Sequence, residues 1–128
     1  MERTRARAVK VGREGMERLM KAFGCTQRMV YKALGFDSDT ALARRIRHTA
    51  LKETGGWIEA SVPEDEIFYD SEEGGERVMR QYFRNGAVLE VSLTTSRGRV
   101  MLKGVCVKAY GEVKVSEIPE IQNWARSL

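Results

Sequence analysis

The chain has 128 residues, 42% hydrophobic and 31% charged, with 22 Lys and Arg against 18 Asp and Glu for a net charge of +4. That composition belongs to a folded globular protein of one domain's length, and excludes disordered and fibrous classes. One histidine, His48, and two cysteines, Cys25 and Cys106, are too few for a zinc site or a disulfide framework, so no metal, no cofactor and a reducing, cytoplasmic setting are expected.

The charge is uneven along the chain. Met1 to Gly55 holds 13 basic and 6 acidic residues, a net of +7, whereas Gly56 to Leu128 holds 9 and 12, a net of −3. A polyanionic partner is therefore expected for the first part only. The basic start is followed by no apolar stretch of a secretory signal, and no run approaches the roughly 18 apolar residues of a membrane span.

Arg3, Arg5 and Arg7 share one parity with Val9 and Val11. A DNA-binding ribbon of the ribbon-helix-helix kind needs its basic face opposite its apolar face, so this pattern argues against one. It predicts a short strand near Ala8–Val11 behind a basic arm, whose Arg5 and Arg7 are placed to follow phosphates or the minor groove. Met16, Leu19, Met20 and Phe23 then fall at i, i+3, i+4 and i+7, the stripe of a helix over about Arg13–Phe23 that stops at Gly24. Thr26 caps a second helix over Gln27–Leu34, with Val30, Ala33 and Leu34 inward and Gly35 ending it. Ser38 or Asp39 is expected to cap a third, running to about Thr54 and closed by Gly55-Gly56. On that helix Leu42, Ala43, Ile46 and Ala50 face the core, while Arg44, Arg45, Arg47, His48 and Lys52 lie on the opposite arc. Four long cations crowded on nine residues repel one another, and duplex phosphates or guanine edges would relieve that repulsion.

From Gly56 to Glu76 there are eight acidic residues and no basic one, punctuated by Pro63 and Gly74-Gly75, with Ile67–Tyr69 as a brief strand. The spacing lacks the alternating ligands of a calcium loop and reads as a solvated acidic joint. Beyond it the period changes to 2. A strand over Arg77–Phe83, the hairpin signal Asn85-Gly86, a strand through Ala87, Leu89, Val91 and Leu93, and two more near Arg99–Leu102 and Val105–Tyr110 predict a meander of about four strands. Ser116 is expected to cap a last helix whose stripe of Ile118, Ile121, Trp124, Ala125 and Leu128 covers one sheet face.

The residues Leu19-Met-Lys-Ala-Phe-Gly-Cys-Thr-Gln-Arg-Met-Val-Tyr-Lys-Ala-Leu34 resemble the helix-turn-helix signature of bacterial regulators, with Ala22, Gly24, Cys25, Thr26 and Val30 at its marked positions. In that phase Gln27, Arg28, Met29, Tyr31 and Lys32 face the major groove. A second phase, Ala33 to Ile46, makes Thr40, Arg44, Arg45, Arg47 and His48 the readers, and is favoured for its denser charge, with Arg28 and Lys32 beside the backbone. The element order also resembles a group of small proteins of Bacteroides-type mobile elements, through Lys21–Thr26, Val30–Leu34, Arg80–Phe83 with Asn85-Gly86, and Ile118–Trp124. That resemblance implies the same architecture and a DNA-binding head, and no activity beyond it.

The sequence therefore predicts an α+β protein in three parts. Residues 1–55 form a basic helix-turn-helix head, 56–76 an acidic joint, and 77–128 a meander with a C-terminal helix for dimerisation or for a partner or effector. The expected function is double-stranded DNA binding by a dimeric transcriptional regulator. The alternative is a protein-interaction module of a phage or mobile element whose basic helix meets an acidic partner. No nucleophile, base or phosphate loop stands in a catalytic arrangement, so no enzyme is expected.

Overall fold

The computed structural model describes residues 6–128 and is α+β, with two compact units, residues 1–60 and 61–128. The first unit begins with strand β1 (Arg7–Lys10), continues through helices α1 (Arg13–Phe23), α2 (Gln27–Leu34) and α3 (Ala41–Glu53), and closes with β2 (Trp57–Ala60). β2 runs antiparallel to β1, with Val9 opposite Ile58. Expected strand and helices are present; the addition is β2, which lies in the stretch read as a joint. Gly56 makes it possible: a Cβ there would stand 2.8 Å from the carbonyl oxygen of Ala50 and 3.0 Å from that of Lys10. Only glycine lets the chain pass that closely from the end of α3 to the edge of β1.

Local chemistry explains each helix end. Gly24 takes the left-handed conformation (φ 61°) and its N–H reaches the carbonyl of Met20, which turns α1 sharply into α2. The Thr26 hydroxyl accepts from the N–H of Met29. α3 is capped by Thr40, whose hydroxyl accepts from Ala43 at 3.1 Å, not by Ser38 or Asp39. Between α2 and α3 the left-handed residue is Phe36 (φ 59°), while Gly35 stays at φ −85°. Val9, Met16, Leu19, Cys25, Val30, Ala33, Leu34, Ala43, Ile46 and Ala50 form the core, with Met20, Phe23 and Leu42 packed partly buried around it.

The second unit is a five-stranded antiparallel sheet in chain order, β3 (Ile67–Ser71), β4 (Arg77–Tyr82), β5 (Ala87–Ser92), β6 (Arg97–Leu102) and β7 (Val105–Glu112), followed by helix α4 (Ile118–Arg126). The fifth strand is β3, so the acidic stretch divides: its first residues complete the first unit, and its Ile67–Ser71 pairs with β4. Met79, Phe83, Ala87, Leu89, Val91 and Val100 pack with Ile121 and Ala125 of α4, and Trp124 is partly buried there. Leu128, expected on that stripe, is 41% exposed. Ser116 lies in a short 3-10 turn, Val115–Glu117, and α4 starts at Ile118 without a side-chain cap. Asn85 at the β4–β5 turn accepts from the N–H of Ala87 and donates to the carbonyls of Ala125 and Leu128, fastening the end of α4 to the hairpin. Among the described residues, no helix is long and apolar enough to cross a membrane.

Candidate nucleic-acid interface

The outward faces of α2 and α3 carry the basic side chains singled out by the sequence. On α2, Gln27, Arg28, Met29, Tyr31 and Lys32 are all exposed, opposite the buried Val30, Ala33 and Leu34. On α3, Arg45, His48 and Lys52 are exposed and follow one another at spacings of three and four, so they make a single basic stripe. Neither helix holds an acidic residue before Glu53. Arg7 lies on β1 with its guanidinium 3.8 Å above the ring of Phe36; Arg5 falls outside the described residues.

Arg47 does not lie on the exposed arc where the sequence placed it. It is 2% exposed, and Nη1 donates to the carbonyls of Ala33 at 3.1 Å and Ser38 at 2.8 Å. Nη2 donates to the Asp39 carboxylate at 2.8 Å, and the guanidinium stacks 4.8 Å from the Phe36 ring. Its Nε has no hydrogen-bond partner among the described residues. Arg47 thus pins the turn between α2 and α3 and is unavailable to a partner. Arg44 is partly withdrawn as well: Nε and Nη2 fork onto the two oxygens of Asp39 at 3.1 and 3.0 Å. The hydrogen bond from Arg44 leads the effects on the Asp39 carboxyl; desolvation opposes it, and the hydrogen bond from Arg47 and the charges of both arginines help to hold the carboxyl below its ordinary pKa. Thr40 is exposed, but its hydroxyl is occupied as the α3 cap.

Phe36 had no place in the sequence reading, and Asp39 entered it only as a candidate cap for α3. A signal for Arg47 existed, because at about 100° per residue it lies only some 40° from Ala43, on the flank of the core face. An arginine on such a flank can lay its stem along the core and turn its head to backbone carbonyls.

A second cluster of charges occupies the second unit, on the sheet face that Val78, Arg80 and Tyr82 share, opposite Met79 and α4. Arg80, 2% exposed, donates from Nε to Glu90 at 2.6 Å and from Nη1 to Asp70 at 2.7 Å and to Glu72. Glu90 accepts on its other oxygen from Arg99 at 2.7 Å. Burial by itself would discharge Arg80, yet Glu90, Glu72, Tyr82 and Asp70 outweigh it and raise the guanidinium pKa. Burial likewise opposes the Glu90 charge, and Arg80 and Arg99 reverse that and hold its carboxyl below the ordinary range. Each acid is matched to a guanidinium, which makes this a structural ion network. Among the described residues no group of three or more His, Cys, Asp and Glu could hold a metal ion. Cys25 is buried and Cys106 exposed, and neither is in a disulfide.

Compared with known proteins, the chain matches no protein-family description, no curated protein sequence and no solved structure.

Proposed function

We propose that residues 1–60 bind double-stranded DNA, and that the protein acts as a transcriptional regulator in the cytoplasm. The observation that carries this reading is the concentration of exposed basic side chains on two consecutive short helices, Arg28 and Lys32 on α2 and Arg45, His48 and Lys52 on α3, with no acid inside either helix before Glu53 and with Asp37 and Asp39 in the turn between them. Such a surface suits a dense row of phosphates, whose bound counterions are released when lysine and arginine replace them. The left-handed Gly24 turn between α1 and α2, which matches the helix-turn-helix pattern, supports it further. Within this reading the second unit joins two copies, which would set two heads on half-sites about 34–36 Å apart.

The test is fluorescence anisotropy of the full-length protein on a labelled random-sequence duplex between 50 and 200 mM salt. The expected result is binding whose log–log slope against salt is about −0.9 for each phosphate contacted, several contacts in all. Absence of binding at the low-salt end contradicts the reading.

A further inference from the structure

The two basic helix faces differ in chemistry, and the difference divides the labour between them. Phosphate contacts need only charge and short hydrogen-bond donors, and they position a protein without reading sequence. Base edges require more varied groups: arginine for guanine, a carboxamide for adenine, and apolar surface for the thymine methyl. The α3 stripe of Arg45, His48 and Lys52 consists of basic side chains alone. The α2 face holds Arg28 and Lys32 at its outward pole, with Gln27 in the first turn and Met29 and Tyr31 as flanks. Met29 and Tyr31, each 48% exposed, are also the exposed large hydrophobic residues of the described part of the first unit; the others lie in the second. Two such side chains within three residues, on a helix otherwise polar outside, expose apolar area that water disfavours.

The sequence favours α3 as the reader because five polar and charged groups share its arc, but Arg47 is sealed in the core and Arg44 is forked onto Asp39. Among the described residues nothing comparable engages Arg28 or Lys32, which stand exposed. The length also fits, since eight residues of helix span about 12 Å, close to the roughly 12 Å width of the major groove.

We propose that α2 is the base-reading helix, with Arg28 and Gln27 as its hydrogen-bonding readers and Met29 and Tyr31 as apolar contacts for thymine methyls, while Arg45, His48 and Lys52 of α3 anchor phosphates. This rests on the reading of residues 1–60 as a duplex-binding head. The sites selected contain guanine or adenine within reach of Arg28 and Gln27, next to thymine.

The experiment is selection from a random duplex library with the full-length protein, its variants Gln27→Ala, Arg28→Ala, Arg45→Ala and Lys52→Ala, and circular dichroism to confirm that each is folded. All four residues are exposed, so the fold is expected to stand. Gln27→Ala and Arg28→Ala are expected to relax the selected motif at one defined position each. They should also weaken binding to the wild-type site by about tenfold or more, while affinity for random duplex changes much less. Arg45→Ala and Lys52→Ala are expected to leave the motif unaltered. Each should weaken all duplexes in proportion and reduce the salt slope by about 0.9. A motif changed by the α3 variants and unmoved by the α2 variants overturns the assignment, as does a wild-type protein that binds duplex but selects no motif; in both cases duplex binding itself stands. A wild-type protein that binds no duplex overturns both.

Discussion

Arg47 spends a full charge inside a 60-residue unit, and its neighbours show what that charge does. Its guanidinium bonds two carbonyls, at Ala33 and Ser38, that come from the end of α2 and the turn beyond it. It also meets Asp39 and the ring of Phe36, the residue held at φ 59°. Charge-assisted bonds of this kind are stronger than neutral ones, and removal of the donor takes a partner from the half-buried Ser38 carbonyl and from Asp39, while the Ala33 carbonyl keeps the N–H of Phe36 at 3.2 Å. Arg47→Met keeps the apolar stem and deletes the head. It is expected to lower the unfolding free energy by roughly 2–4 kcal/mol, read from urea titration, whereas Arg45→Ala on the exposed stripe should change it by less than about 0.5 kcal/mol. Equal effects from the two would mean that Arg47 is not the fastening of the α2–α3 turn.

At the scale of elements, the helix starts and sheet strands each depend on one or two identifiable groups. Thr26 satisfies the N–H of Met29 at the start of α2, so Thr26→Ala is expected to cost about 1 kcal/mol of stability in the same titration. In the sheet, Arg80, Glu90 and Arg99 lie directly opposite one another on β4, β5 and β6, and Glu90 is the hinge of the ion network between them. Glu90 has its folded-state pKa depressed, so the stability it contributes is fully present above the unfolded carboxyl pKa and is lost as pH falls through the lower, folded value. Urea midpoints monitored by the second unit's own aromatic residues should therefore hold from neutral pH down to about pH 5 and drop below about pH 4. Glu90→Gln should cost roughly 3–5 kcal/mol at neutral pH, because it leaves Arg80 and Arg99 short of a buried partner, and should flatten the acid-induced drop. An unchanged acid slope in that variant would assign the drop to other carboxylates.

Much of this architecture was legible beforehand, for reasons tied to particular residues. The 3.6-residue stripes of Met16 to Phe23 and of Val30 to Leu34, and the alternation of Ala87, Leu89 and Val91, are local patterns that report a buried face directly. β2 was not legible, because Trp57–Ala60 is four residues long, sits in an acidic stretch and gains its place only by pairing with β1. The same holds for Arg47 and Arg80: burial of an arginine is decided by acceptors distant in sequence, Ser38 and Asp39 for one and Asp70, Glu72 and Glu90 for the other. Arg28, Lys32, Arg45, His48 and Lys52 could be picked out as exposed basic side chains from the helical wheel, since each lies away from its helix's buried stripe.

At the scale of the whole molecule, the net charge of +4 joins two units of opposite character. The first unit, residues 1–60, exposes Arg28, Lys32, Arg45 and Lys52 on α2 and α3 beside Lys10, Arg13, Arg18 and Lys21 on β1 and α1, whereas the second, residues 61–128, ties up Arg80 and Arg99 within its own sheet and sets its exposed cations in a chain segment richer in acids. A polyanion is thus expected to find its site on the first unit alone. The most direct measurement is amide chemical-shift mapping of the full-length protein titrated with a short random-sequence duplex at low salt. Shifts are expected to concentrate at residues 26–32 and 41–52, with the amides of β3 to β7 unmoved. Shifts centred on the sheet, or none at saturating duplex, would contradict that expectation.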